Sequence, residues 1–206
     1  MELTFRVALP IDAEVVIPLI YSSGPYQFEY VFTRPPTTAQ QFLLWAFVSG
    51  KGLFGYPIYT VALAGTRPVA IGAGYGRQEG KVLERQMLWQ FVRFYGMRQT
   101  WRVIQRGLEL DALTPFPEPG MYYIAQLGVA AAIWGQGIGT ACLQHQITLA
   151  RARGYQRCAL DVASTNPRAQ ALYERIGFTV TQERAAPPAA ATQHVPNIRR
   201  MELWLA

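Results

Sequence analysis

Apolar and polar residues alternate along LTFRVAL (3 to 9) and the run stops at Pro10, which predicts a first strand. A helical segment follows from Asp12 to about Tyr21, and SSGP (22 to 25) breaks it. YQFEYVF (26 to 32) is aromatic at every second residue and reads as an extended loop or short strand. After RPPTT, Thr37 or Thr38 is placed to cap a helix over AQQFLLWAFVSG. IYTVALA and VAIGAGYG flank GTRP, giving a strand, turn, strand hairpin from about 58 to 76.

Helical spacing returns between 81 and 112. Leu83, Met87, Phe91 and Phe94, then Trp101, Ile104 and Leu108, fall on one stripe, and Gly96 is the expected break between two helices. Such a stripe is read first as packing and second as the lining of a pocket. LTPFPEPG (113 to 120) is a connector and MYYIAQLGVA (121 to 130) a strand. A glycine segment then opens a helix from about Gly137 to Arg153, ended by Gly154. CALDVAS is a strand, NPRAQALYERIG a helix, FTVTQE a strand, RAAPPAAATQHVPN a flexible linker and IRRMELWL a last alternating strand. This order predicts one mixed α/β domain over residues 1 to 206.

The composition narrows the function classes. Half of the 206 residues are hydrophobic, enough for a sizeable core. Nineteen Lys+Arg against 13 Asp+Glu give +6, a field that attracts anions. The arginines are scattered, RAR (151 to 153) and RR (199 to 200) being the densest runs, so a small anion is expected and a nucleic acid is not. Cys142 and Cys158 have no metal-type spacing and read as reduced core thiols; His145 and His194 make no metal cluster. The amino terminus lacks a leader pattern, and FLLWAFV (42 to 48) is too short to cross a bilayer. A cytoplasmic protein without a membrane partner is expected.

Candidate chemistry concentrates in WGQGIGTACL (134 to 143), where Gly135, Gly137 and Gly139 precede a helix. A glycine turn that opens a helix aims unpaired backbone N–H groups at one spot, where the helix dipole also favours negative charge. The nucleoside-triphosphate loop does not fit, because its second glycine falls on Thr140 and no lysine follows. The dinucleotide fingerprint does not fit either, since its last glycine falls on Thr140 or Cys142.

The spacings that continue from this segment are more specific. Leu127 and Val129, Gly137 and Gly139, Ala150 and Gly154, Leu160, Val162, Asn166 and Ala169, and Leu172, Tyr173, Gly177 and Phe178 reproduce a pattern spread over 127 to 178. In this the chain resembles the GNAT superfamily of acetyl-CoA-dependent N-acetyltransferases. The resemblance implies a mixed, mostly antiparallel central sheet flanked by helices, with an unusual helical insertion at about 77 to 118 before the cofactor-binding strand. Trp134 departs from the Arg or Gln usual at its position.

The same resemblance implies acetyl-CoA as cofactor, its pyrophosphate held by main-chain N–H groups from Gly135 through Gln136, Gly137, Ile138 and Gly139 to Thr140. Its pantetheine arm would run beside Leu127, Gly128 and Val129. Tyr173 matches the general acid, and Asn166 the residue that caps its helix and bonds the arm. Asp161 matches the position of a proposed base, with Glu29, Glu118 and ordered water as competitors. Tyr122, Tyr123 and Gln126 lie where family members contact the acceptor, and Tyr26, Phe28 and Glu29 belong to the aromatic segment that would roof it. The expected activity is acetyl transfer to a primary amine of a small molecule or peptide by direct attack. The alternative is a non-catalytic acetyl-CoA or CoA binder that uses the insertion as a partner or homodimer surface.

Overall fold

The computed structural model describes residues 2–205. Seven strands form one sheet: β1 (Leu3–Val7), β2 (Tyr59–Ala64), β3 (Arg67–Gly76), β4 (Met121–Val129), β5 (Arg157–Ala163), β6 (Thr179–Arg184) and β7 (Ile198–Trp204). Their order is β1-β2-β3-β4-β5-β7-β6, and every pairing is antiparallel except β4 with β5. The expected mixed, mostly antiparallel sheet is therefore present.

Alternation within β4 divides the core. Tyr123 and Ala125 face the layer of α1 (Ala13–Ser22), α2 (Pro25–Phe32), α3 (Ala39–Ser49) and α4 (Arg77–Asp111), while Tyr122 and Ile124 face α5 (Ile138–Ala152) and α6 (Pro167–Ile176). Cys142 and Cys158 are free and buried. Thr38 caps α3 by accepting the Gln41 N–H, as the sequence predicts. In α4 the backbone leaves the helix at Gly96, so the insertion is two helices joined at the expected break.

Three expectations are corrected. The segment 26 to 32 is helical, because Phe28, Val31 and Phe32 form an i, i+3, i+4 stripe that buries against α3 and α4; aromatic residues two apart conceal that spacing. Trp101 and Leu108 leave the packed stripe, 68% and 63% exposed, whereas Phe91 is buried against Phe42. The segment 185 to 197 is anchored: it carries a short helix, α7 (Pro188–Ala191), and buries Ala190 and Val195 in the main core.

The β4 strand is bent by a bulge. Ile71 pairs with Gly128 and Ala73 with Ala125, so Gln126 and Leu127 together oppose Gly72. Gln126 there adopts φ 45°, a left-handed conformation rare for a residue with a side chain. Tyr59 Oη donates to its Oε1 at 3.2 Å. Beyond the bulge α1 crosses close over the strand: a Cβ at Gly128 would lie 2.3 Å from the Leu19 carbonyl oxygen. Gly128→Ala is therefore expected to cost about 1–3 kcal/mol through overpacking, measured as a lowered midpoint in urea unfolding.

Candidate active site

The parallel pair β4 and β5 bonds only between Met121–Tyr123 and Arg157–Ala159. Past those residues the strands separate toward their carboxyl ends, leaving backbone edges free. A cavity of about 390 Å³ occupies the gap, lined by Leu127, Gly128 and Val129 of β4 and by Leu160–Ala163 of β5. Ligands characteristically enter open sheets at such carboxyl ends.

The glycine turn closes one side of this cleft. Gly137 is the N-cap of α5 with φ 79°, which a side chain would strain, and it offers no side-chain acceptor. The first-turn N–H groups of Ile138, Gly139 and Thr140 thus have no carbonyl four residues back inside the helix. All three residues line the cleft with Gly135 and Gly137. Gln136 sits on the exposed turn outside the lining.

Trp134 does not replace the missing polar side chain directly. Its Nε1–H donates to the Val129 carbonyl at 2.9 Å, and the Arg168 guanidinium stacks over its ring at 4.6 Å. That stack sets a cation at the cleft wall, where Arg175 also lies. Neither arginine was singled out by the sequence, because only the folded α6 carries them to the cleft wall. Free N–H donors, two guanidinium groups and an open strand edge fit the pyrophosphate and amide arm of acetyl-CoA.

The α6 helix supplies two more residues of the cleft. Asn166 caps it by accepting the Ala169 N–H at 3.1 Å. Tyr173, two turns on, is 8% exposed and packs near Phe178 while lining the cleft. Burial pushes its phenol up to about 12, so it stays protonated throughout the neutral range.

Across β5 the alternation turns Asp161 to the face opposite Leu160 and Val162. Its carboxylate receives Arg200 Nε at 2.7 Å, Arg200 Nη2 at 2.8 Å and the Tyr123 hydroxyl at 2.9 Å. Asp161 and Arg200 side chains are each only 5% exposed, and Arg200 Nη2 also reaches the Pro115 carbonyl. A carboxylate held in this fork has little lone-pair capacity left for a proton. The pairing was not legible in sequence, because Arg200 reaches Asp161 only through the β5–β7 ladder.

On this face a second cavity, of about 330 Å³, lies under both halves of α4. Phe28, Phe32, Phe54, Met87, Phe91 and Ile104 are among its apolar walls, and Glu84 and Asp111 are carboxylates within it. Burial raises both carboxyls, Glu84 further through the charge of Asp111. The two cavities share Ser23, Gln126, Asp161 and Ala163.

Of the residues expected at the acceptor, Phe28, Tyr123 and Gln126 line this second cavity. Tyr122 does not, because its place in the β4 alternation turns it under α5, where its hydroxyl donates to Gln146 Oε1 at 3.1 Å. Glu29 is engaged by Tyr21 Oη at 2.8 Å and by Thr33, and Tyr26 is half exposed outside the cavity. Glu118 pairs with Arg157 away from both cavities.

The family model described as "Acetyltransferase (GNAT) family" matches residues 27–178, and the chain belongs to that family, whose members take acetyl-CoA as cofactor. A mycothiol acetyltransferase of Beutenbergia cavernae is 41% identical over 63 residues, 31% of this chain and 21% of that protein. A 5-NmdU N-acetyltransferase of Pseudomonas phage PaMx11 is 39% identical over 67 residues, 32% of this chain and 44% of that protein. The matches thus span less than half the length of either relative. The fold of yncA from Salmonella typhimurium, solved with its cofactor acetyl-CoA, aligns with a TM-score of 0.57 at 18% identity, covering 100% of this chain and 95% of that one. No helix among the described residues is long and apolar enough to cross a membrane, and no cluster of His, Cys, Asp and Glu there is able to hold a metal ion.

Asp161→Asn leaves the Arg200 guanidinium buried beside a neutral group. The expected loss is about 3–5 kcal/mol in guanidinium chloride unfolding, partly recovered when Arg200→Met is added.

Proposed function

We propose that this chain is an N-acetyltransferase that moves the acetyl group of acetyl-CoA to the primary amine of an apolar small molecule by direct attack. The observation that carries this reading is the junction of the two cavities at Ser23, Gln126, Asp161 and Ala163. A cofactor arm along β4 and an amine in the second cavity would meet there. Acetyl-CoA supplies an activated acyl carbonyl and a thiolate leaving group.

The protein's part is placement and proton control. The α5 turn and the free edge of β4 hold and orient the cofactor. Tyr173, kept protonated by burial, is assigned to protonate the departing sulfur. Asp161 is assigned to orient Tyr123, while the amine's own proton leaves to solvent. The Glu84 and Asp111 carboxylates draw a cationic amine into an otherwise apolar chamber. Aromatic walls favour an acceptor with a ring or alkyl body over a polyamine. The binder without turnover has no observation in its favour.

Tyr173→Phe tests the assignment: CoA release is expected to fall at least about tenfold with acetyl-CoA affinity unchanged, as read by stopped assays and calorimetry. Equal rates for both proteins would refute the acid role. In an amine panel, phenethylamine-like acceptors should exceed spermidine in kcat/KM; the reverse order rejects the apolar acceptor.

The pH profile has a definite sign. Only neutral amine attacks, so kcat/KM should rise about tenfold per pH unit below the acceptor's pKa. Tyr173 adds no falling limb until the pH nears about 12. A bell-shaped profile centred near neutrality would instead reveal a tuned enzyme base.

A further inference from the structure

A third cavity, about 530 Å³, lies between α2, the half of α4 after Gly96, and the segment around Ala189 and Gln193. Arg34, Arg102 and Arg106 line it, and Glu109 is the one carboxylate among its lining residues. Glu109 already accepts the Tyr30 hydroxyl. None of the three arginines makes an ion pair among the described residues.

The arginines converge although their charges repel. Arg34 Nη2 at 3.3 Å and Arg106 Nη1 at 2.7 Å both donate to the Tyr30 carbonyl, and Arg34 Nη1 donates to Thr33. Arg106 also stacks over the Tyr30 ring at 4.7 Å. Arg34 is 6% exposed, and its Nε–H is buried without an acceptor among the described residues. Burial first, and the charge of Arg106 next, hold its guanidinium below the usual arginine range. Three guanidinium groups gathered at one cavity with no ion-pair partner among the described residues repel one another unless something with negative charge joins them.

We propose that this cavity is a binding site for a phosphate-class oxyanion, separate from the cofactor cleft. Three guanidinium groups against one engaged carboxylate leave an excess of two positive charges, which a phosphate dianion matches, and guanidinium forks bind such oxygens in pairs. The site also bears on the acceptor chamber. Arg102, Gln105, Arg106 and Glu109 form one stripe of the helix, and Ile104 and Leu108 of the same helix line the acceptor cavity. An anion bound here ties the roof of that chamber to α2.

The test uses the intact chain saturated with CoA, so that the glycine turn is already filled, and titrates inorganic phosphate or phenyl phosphate against chloride at constant ionic strength. A saturable rise in melting temperature is expected, about 3 °C at tenfold excess over Kd. Calorimetry on Arg102→Gln should show phosphate affinity about tenfold weaker; Arg102 is exposed, so this variant is expected to fold normally. Arg34→Lys, which keeps the charge but not the fork, is a second variant with the same expected direction. Tighter binding of phenyl phosphate points to a phosphate ester as the natural ligand, and equal binding to free phosphate. The proposal is overturned if phosphate and chloride act alike, if Arg102→Gln binds phosphate as the parent does, or if Arg168→Gln rather than Arg102→Gln abolishes the response.

Discussion

Two parallel strands that stop bonding to each other set the terms for the rest of this molecule. After Tyr123 and Ala159, β4 and β5 separate, and backbone groups that a closed sheet would pair become available to a ligand. The opening is held from the side by the bulge at Gln126 and Leu127, which bends β4, and by Gly128, which lets α1 lie directly on the strand. Unpaired backbone in a protein interior is expensive unless it has a partner, so a sheet that keeps such a gap is organised around what fills it.

The gap also separates the chemistry into two faces. On the α5 and α6 side stand the main-chain donors, the arginines and a phenol kept neutral by burial. On the α4 side stand the apolar walls and the Asp161–Arg200–Tyr123 cluster. Strand alternation produces this division without further devices: Leu160 and Val162 point one way and Asp161 the other. The Asp161 carboxylate is taken up by Arg200 and Tyr123, which ties β5 to β7 and to β4 on this face. Trp134 shows a substitution of means, since a ring that cannot bind phosphate itself holds Arg168 at the cleft wall.

The glycine turn and the Asn166 cap were legible in the sequence because each depends on a short-range relation, a turn before a helix and a cap at its first residue, whereas Tyr173 was marked by the resemblance of the LYERIGF stretch to the family pattern. The succession of strands along the chain and the break at Gly96 were legible for the same short-range reason. The helix at 25 to 32 was not, since aromatic residues at 28, 30 and 32 satisfy the period of a strand and, at 28 and 32, that of a helix too; only the neighbouring helices decide between them.

The amino-acid sequence by itself therefore determined the local frame of the cleft: the glycine turn that opens α5, the capped helix that carries Tyr173 and, through strand alternation, the side of β5 on which Asp161 stands. Tertiary structure alone decided the partners. It placed Arg200 on Asp161, 39 residues away, folded α4 over the second cavity, and drew Arg34 and Arg106 to one carbonyl. Local spacing fixes where a side chain points relative to its own backbone, whereas charge pairing and cavity shape depend on which distant elements pack against it, and packing of that kind leaves no periodic trace along the chain.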